Sequence, residues 1–184
     1  MRLKKVLLKL FILLMIFIIV ALSILVFTKK GEEKNEYAIL LGNPLDKQIT
    51  IEYDDTFTSE FMNSSYLLKL FEYDASKSVD GELVKLTSLI KKSNIVLVNI
   101  GDFEIKSLIS DSYDEEVIDR TIDIYLNNLN AIINHIYDNK KNVQVYVCNI
   151  KYTSNNYDKT LANIFSSLNE SIDIIVKRNN ANLL

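Results

Sequence analysis

The sequence predicts an α/β domain with a doubly wound, mostly parallel sheet, preceded by one transmembrane helix. The stretch Asn94–Ile100 is a short apolar run rich in β-branched residues, and it stops at Gly101. Such a run is typical of a strand that helices bury on both faces. Strand-like and helical patterns alternate from residue 37 onwards, and the longest helical pattern, Tyr113–Asn139, follows this strand. This alternation is typical of a parallel sheet covered by helices.

The first thirty residues contain an apolar segment flanked by positive charges. Leu10–Phe27 has no charged residue, and its eighteen residues would form a helix of about 27 Å, close to the thickness of the hydrocarbon core of a bilayer. More basic residues precede the segment than follow it, which keeps the amino terminus in the cytoplasm. A cleaved signal peptide is the alternative, but the small residues Ala21 and Ser23 lie inside the apolar run. The sequence therefore predicts an uncleaved signal-anchor.

This segment divides the chain into a basic tip with the anchor (1–30), a tether (31–36) and an extracytoplasmic domain (37–184). The first thirty residues hold six of the 21 basic residues and none of the 24 acidic ones. Residues 31–184 therefore carry 15 basic and 24 acidic residues, a net charge of −9. Such a charge disfavours sequence-independent binding to nucleic acid. The single cysteine, Cys148, excludes an internal disulfide and is expected to be a small buried side chain.

The first half of the domain contains one clear strand and several ambiguous segments. Tyr37–Leu41 is predicted to be the first strand, and a short helix is expected within Thr56–Asn63. The apolar run Tyr66–Phe71 fits a strand or a helix, and a strand is favoured. The leucine and isoleucine residues of Leu83–Ile90 have helical spacing, with Asp80 as the expected cap.

The second half is more regular. Acidic residues at the start of Tyr113–Asn139 suit the positive end of a helix, and isoleucine, leucine and tyrosine residues form one stripe along it. Val143–Ile150 is predicted to be a strand, and Asn156–Arg178 the last helix. No strand pattern follows that helix, so the domain is expected to be incomplete at its carboxyl terminus.

Two short blocks follow the first and the central predicted strands: Gly42–Leu45, with the sequence GNPL, and Gly101–Glu104, with the sequence GDFE. Their order and spacing resemble the SGNH/GDSL hydrolase family. Those esterases and lipases carry Gly-Asp-Ser-Leu after the first strand and Gly-x-Asn-Asp after a central strand. The resemblance covers Tyr37–Leu184 and implies the fold of that family, in which the serine is the nucleophile and the asparagine helps to hold the oxyanion. Gly42, Leu45 and Gly101 match the family's pattern.

The remaining motif positions carry other residues. Asn43 stands in the place of the aspartate, Pro44 in that of the serine, Phe103 in that of the asparagine and Glu104 in that of the second aspartate, and there is no Asp-x-x-His pair. Acyl transfer needs an activated hydroxyl, a base and an oxyanion donor, and the loss of one donor alone costs roughly 100- to 1000-fold in rate. The resemblance therefore implies a domain that has lost hydrolysis and binds or scaffolds a protein, a glycan or an acyl ligand.

Asp102 and Glu104 are the remaining candidates for ligand binding, because the carboxyl ends of the strands are where open α/β sheets place their sites. Two carboxylates there could bind a cation or act as acid and base, although a solvated loop explains them as well. His135 is expected on the flank of the long helix rather than at a site. No zinc spacing and no glycine-rich phosphate loop is present, so neither a metal nor a cofactor is predicted.

Two alternatives remain open at this point. The chain could be an active ester hydrolase with part of its site beyond Leu184, or one that uses Asp102 and Glu104. It could also be an unrelated flavodoxin-like binding domain. Adjacent positions of Gly42 and Gly101 at one edge of the sheet would favour the hydrolase fold, and positions at opposite ends would exclude it.

Overall fold

The computed structural model describes residues 37–45, 52–59, 61–105, 114–151 and 159–184. In chain order their strands and helices are β1 (Ala38–Gly42), β2 (Asp55–Thr58), α1 (Ser64–Glu72), β3 (Ser76–Val79), β4 (Glu82–Lys85), α2 (Leu86–Lys92), β5 (Ile95–Asn99), α3 (Glu115–Asn139), β6 (Gln144–Val147), α4 (Lys159–Arg178) and β7 (Asn182–Leu183). The predicted anchor Leu10–Phe27 and the tether 31–36 lie outside the described residues. Within those residues, no helix has the length and apolar character needed to cross a membrane.

The main sheet has five strands in the order β2-β1-β5-β6-β7, and every neighbouring pair is parallel. The strand predicted from Asn94–Ile100 is β5, and it lies in the middle. When the five strands of this sheet are numbered 1 to 5 in chain order, their order across the sheet is 2-1-3-4-5, a common arrangement of doubly wound α/β folds. The prediction of a mostly parallel α/β sheet is confirmed.

Helices α1 to α4 contribute to one hydrophobic core against one face of this sheet, and so does Ile105 of the short helical segment 102–105 that follows β5. The core contains alternate strand residues, Ile39 and Leu41 from β1 and Val96 and Val98 from β5, together with buried residues of each helix. Successive strand residues point to opposite faces, so Leu40, which is buried outside this core, belongs to the other face. The second helical layer of a doubly wound fold is not among the elements of the described ranges.

Two predictions for the first half of the domain are wrong, and both concern the region around helix α1. Tyr66–Phe71 is helical and not a strand, because Asn63 caps the helix through a 2.8 Å bond from the Tyr66 amide to its Oδ1 atom. Leu67 and Phe71, four residues apart, then face the core. The helix expected within Thr56–Asn63 is also wrong, since Asp55–Thr58 forms β2 and pairs with β1.

The segment after α1 contains a hairpin that the helical spacing concealed. Asp80 does not cap a helix; with Gly81 it forms the turn between β3 and β4, and both residues have positive φ, 51° and 86°. Asp-Gly is the sequence that a two-residue turn of this type favours. Leu83 therefore lies on a strand with its side chain exposed, and helix α2 begins only at Leu86.

The second half follows the prediction closely. Helix α3 begins after the cap Asp114, whose side chain accepts from the Glu116 amide, and it buries the predicted stripe. Strand β6 and helix α4 lie within their predicted ranges. One prediction is corrected: Asn182–Leu183 forms a short strand that pairs in parallel with β6, where no strand was expected.

Candidate functional site

The loops that follow β1 and β5 meet at the carboxyl edge of the sheet. Gly42 lies opposite Asn99 in the ladder, and Gly101 follows two residues later. The chain leaves β1 to build β2 on one side and later builds β5 on the other, so this is the topological switch point where open α/β sheets bind ligands. The two glycine-containing blocks are therefore adjacent at one edge, as the hydrolase fold requires.

Both glycines are required by close packing. Gly42 has a φ of 109°, and a Cβ atom there would overlap the carbonyl oxygen of Asn99. Gly101 has a φ of 100°, and its Cβ atom would lie 2.6 Å from the ring of Tyr125. Only glycine adopts such backbone angles without strain. These two matches to the family pattern thus have a structural explanation that does not involve catalysis.

The loop after β1 is held by side-chain amides. Asn43 is buried, and its Nδ2 atom donates to the carbonyl oxygens of Ser59 (3.0 Å) and Met62 (3.1 Å). Asn99 Nδ2 donates to the carbonyl oxygens of Asn43 and Pro44, both at 3.1 Å. Asn99 was not singled out from the sequence, although it is a polar residue at the carboxyl end of a buried apolar strand. Together the two amides fix the backbone around Pro44.

Glu104 lies in the helical segment 102–105 after β5 and is bound to helix α1, so it is not a solvated loop residue. Its Oε2 atom accepts from the Ser64 amide at 2.8 Å, which satisfies one of the free N–H groups at the start of that helix. Burial raises the pKa of the Glu104 carboxyl, and its hydrogen bonds from Ser64 oppose this only in part. Asn128 of α3 donates to the hydroxyls of Ser64 (3.0 Å) and Ser65 (2.9 Å), so α3 also holds this helix end.

Two more ionisable groups lie below this edge. Tyr125 is fully buried, its hydroxyl donates to the Ile100 carbonyl oxygen at 3.4 Å, and burial together with the charges of Glu104 and Asp102 raises its pKa far above the usual value. Burial, helped by the charge of Asp102, raises the pKa of the Cys148 thiol to about 11. The predicted burial of Cys148 is confirmed, and a thiol with such a pKa is not a nucleophile at neutral pH.

His135 lies far from this edge. Its ring stacks on Phe71, with 5.5 Å between the ring centroids, and it is ten residues after Tyr125 on α3. Ten helical residues span about 15 Å, and the helix ends at the opposite edge, where Lys140 donates to the Ser93 carbonyl oxygen. The structure therefore does not bring the histidine to Asp102 and Glu104, which agrees with its expected place on a helix flank.

The described ranges contain no cluster of three histidine, cysteine or acidic side chains that could hold a metal ion. They do contain an open groove of about 400 Å³ between α3 and α4. Asp119, Thr160 and Ser167 are among its polar lining residues, and Ile122 and Leu168 are among its apolar ones. None of these residues belongs to the loops after β1 and β5.

Comparison with known proteins agrees with this geometry. No protein-family model and no curated protein sequence matches the chain. A crystal structure assigned as a GDSL-like lipase, from Parabacteroides merdae, superposes with a TM-score of 0.54 at 12% identity and covers 82% of this chain and 77% of that one. The chain has an SGNH/GDSL-like fold. At this identity, the likeness shows the fold alone.

Two further solved hydrolases are similar at a lower level. The extracellular lipase of Streptomyces rimosus has a TM-score of 0.44 at 9% identity, covering 79% of this chain and 78% of that one. An acetyl-xylooligosaccharide esterase from Geobacillus has a TM-score of 0.46 at 13% identity, covering 82% and 75%.

In the SGNH/GDSL-like fold, the ends of β1 and β5 are the positions of the family's first two catalytic blocks. Here the first of them presents the exposed ring of Pro44. The second presents Phe103, whose partly exposed ring packs edge-to-face on Phe61 with 5.4 Å between centroids. Proline has neither a hydroxyl nor an amide hydrogen, and the phenylalanine side chain has no donor. Apolar groups thus stand at both positions.

Proposed function

We propose that this chain is a membrane-anchored, extracytoplasmic SGNH/GDSL-like domain that has lost hydrolysis and acts in binding or scaffolding. The observation that carries the proposal is the pair of apolar side chains, Pro44 and Phe103, at the ends of β1 and β5. The ester hydrolases of this family need a hydroxyl nucleophile and an oxyanion donor at those positions.

The surrounding polar side chains support the proposal because their hydrogen bonds hold the backbone in place. The Asn43 amide is committed to two backbone carbonyls, and Glu104 accepts from the first amide of α1. His135, the only histidine in the chain, lies about 15 Å along α3 from Tyr125. A general base must lie within hydrogen-bond reach of the proton that it removes. His135 does not meet this condition for a substrate bound between the two loops.

An active ester hydrolase of the same type, with part of its site missing from this chain, is the second candidate. The half-buried carboxyl of Glu104 favours it, because a raised pKa is typical of a carboxyl group that acts as an acid or a base. In this alternative Glu104, assisted by Asp102, would take the role of the absent histidine.

A fluorophosphonate probe, which reacts covalently with activated serines, tests whether another serine of this chain has taken the place of the missing nucleophile. We expect no labelling of the native full-length chain above that of the heat-denatured chain. Labelling of the native chain that disappears in Glu104→Gln would contradict the proposal and support the active hydrolase.

The anchor is the second part of the proposal. The uncharged stretch Leu10–Phe27, with more basic residues before it than after it, supports insertion into the lipid bilayer with the amino terminus in the cytoplasm. Protease added to intact cells that express the chain should remove a tag placed after Leu184 and leave a tag placed before Met1 intact. A carboxyl-terminal tag protected in intact cells, or a chain recovered without its first thirty residues, would contradict this topology.

A further inference from the structure

Basic residues gather where three helices end at the amino edge of the sheet, the edge at which its strands begin. Helices α2, α3 and α4 are each followed by a strand of the main sheet, and those strands, β5, β6 and β7, are neighbours. α2 packs on α3 and α3 packs on α4, so the three helix ends lie side by side. Packed helices are about 8–10 Å apart, which makes this line of helix ends roughly 20 Å wide. We call its six basic residues the basic row: Lys91, Lys92, Lys140, Lys141, Lys177 and Arg178.

Most of the positive charge in the basic row has no acidic partner. Five of its six residues are exposed, all except Lys140. Two ion pairs join the row to described carboxylates, Lys141–Asp138 at 3.4 Å and Lys177–Asp173 at 2.6 Å. Both pairs are largely exposed, so they contribute little. Lys91 and Arg178 contact no carboxylate within the described ranges.

The helix dipole alone does not account for the basic row. The negative end of a helix favours basic residues, which explains part of the pattern. Helix α1, however, ends at Glu72 and is followed by Asp74, and no strand of the main sheet comes directly after it. Basic pairs thus occur at the three helix ends that lie together, and acidic residues at the helix end outside this line.

The opposite edge of the sheet carries the opposite charge. Acidic residues outnumber basic ones in the loop after β5 and at the start of α3, where the described ones are Asp102, Glu104, Asp114, Glu115 and Glu116. Lys151 and Lys159 are the exposed lysines near this edge. At the amino edge, Asp54 and Asp55 lie at the start of β2, on the far side of β1 from the basic row. The domain therefore has a positive region at one edge although residues 31–184 carry a net charge of −9.

The chain enters the domain beside the basic row. The Tyr37 carbonyl oxygen accepts from the Asn94 amide at 2.8 Å, and Lys92 Nζ lies 4.2 Å from the centroid of the Tyr37 ring. Tyr37 follows Phe27, the end of the predicted anchor, by ten residues. An extended chain of that length spans at most about 35 Å. The anchor would thus keep this edge close to a bilayer, whereas a soluble protein partner could approach any part of the domain.

We propose that the basic row lies on the anionic phospholipid headgroups of the membrane that holds the anchor. Each lysine or arginine near such a surface strengthens the attraction about fivefold, and the acidic opposite edge is repelled. The carboxyl edge with Pro44 and Phe103 then faces away from the bilayer, where it is open to a partner. This inference rests on the anchor in the proposed function and adds the orientation of the domain.

The test compares lysine acetylation of the full-length chain in two kinds of lipid nanodisc, one of phosphatidylcholine alone and one with an equal part of phosphatidylglycerol. Mass spectrometry follows the reaction of each lysine with N-hydroxysuccinimidyl acetate. We expect Lys91 and Lys141 to react at least about fivefold more slowly in the anionic nanodiscs. Lys151 and Lys159 should react equally in both. Because the attraction is electrostatic, sodium chloride at about 0.5 M should abolish the difference.

Two double variants locate the effect. Lys91→Gln combined with Arg178→Gln removes the two charges that have no acidic partner, and it should restore the acetylation of Lys141 in anionic nanodiscs. Lys151→Gln combined with Lys159→Gln is the matched control, because it removes the same charge near the opposite edge, and Lys141 should stay protected. All four substituted side chains are exposed, so circular dichroism should show the native fold for both variants.

Equal acetylation of Lys91 and Lys141 in the two nanodiscs would overturn the inference, and a slow reaction in both would indicate a protein contact instead. Protection of Lys151 and Lys159 in the anionic nanodiscs would also overturn it, because the opposite edge would then face the lipid. Failure of the proposed function looks different. A chain that does not co-purify with either nanodisc has no anchor, which contradicts both proposals, and ester hydrolysis by the native chain contradicts the loss of hydrolysis alone.

Discussion

At the scale of single residues, Gly42 shows how backbone packing alone can require a glycine at a position that matches the family's pattern. Its φ of 109° and the overlap that a Cβ atom would make with the Asn99 carbonyl oxygen exclude any side chain. We expect Gly42→Ala to lower the free energy of unfolding by at least about 3 kcal/mol.

Gly81→Ala is the matched control, since Gly81 also has a positive φ but has nothing within 4 Å of its Cβ position. It should cost only about 1 kcal/mol. Equal losses in urea denaturation would show that overlap at Gly42 is unimportant.

Glu104 makes a second prediction at this scale. The pKa of the Glu104 carboxyl is raised in the folded chain, so the unfolded chain loses this proton at a lower pH than the folded chain does. The free energy of unfolding therefore falls as the pH rises from about the ordinary pKa of 4.5 through the folded pKa. Glu104→Gln keeps an acceptor for the Ser64 amide and removes the charge. We expect its stability relative to the native chain to rise between pH 4 and pH 7, as measured by urea denaturation at both values.

A control variant separates charge from hydrogen bonding at this position. Glu104→Ala leaves the amide of the buried Ser64 without its acceptor and should cost about 1–3 kcal/mol at both pH values. If Glu104→Gln lost stability at pH 7 as Glu104→Ala does, the ionised carboxylate would be stabilising and the direction of its pKa shift would be contradicted.

At the scale of elements, the hairpin β3–β4 is joined to the edge of the sheet by a partly buried ion pair. Lys77 of β3 contacts Asp55 of β2 and also donates to the Thr56 carbonyl oxygen, and the Asp55 side chain is almost fully buried. Burial raises the pKa of the Asp55 carboxyl, but the hydrogen bonds and the charge of Lys77 outweigh this effect and lower it overall. The pair thus stabilises the fold above the ordinary aspartate pKa, and this contribution is lost as the pH falls.

Removing Lys77 tests the contribution of this pair. Lys77→Met should lower the free energy of unfolding by about 2 kcal/mol at pH 7, because Asp55 is left buried without its cation. Lys85→Met, on the other strand of the same hairpin, breaks the largely exposed pair with Asp74 and should cost less than about 1 kcal/mol. Thermal unfolding of both variants compares them, and a larger loss for Lys85→Met would contradict this assignment.

The elements also show where sequence patterns are sufficient. β5 is evident because a short apolar run rich in β-branched residues, bounded by polar residues and a glycine, favours a buried strand. α3 is evident because its apolar stripe runs from Ile118 to Ile136. Tyr66–Phe71 is too short for its apolar pattern to separate helix from strand, and the cap at Asn63 decides the outcome. The hairpin had a local signal, Asp80-Gly81, that the helical spacing of the leucines outweighed.

At the scale of the whole molecule, the sequence predicted the sheet edge that holds the candidate site but not the bonds within it. The alternation of elements predicted a parallel sheet but left the strand order open. The structure places Gly42 beside Asn99, two residues before Gly101. The bond from Ser64 to Glu104 and the bonds from Asn99 to the loop after β1 join residues at least 40 positions apart. No local pattern encodes such pairs, so only the folded chain shows that these polar groups hold the loops and the start of α1.

The measurement that tests the loss of hydrolysis most directly is turnover of a short acyl ester such as p-nitrophenyl acetate by the full-length chain, with the Pro44→Ser variant alongside. We predict that neither protein exceeds the buffer rate, because a serine at this position still lacks a base and a side-chain oxyanion donor at Phe103. Turnover by the native chain that survives Pro44→Ala and is lost in Glu104→Gln would contradict the account and identify an ester hydrolase.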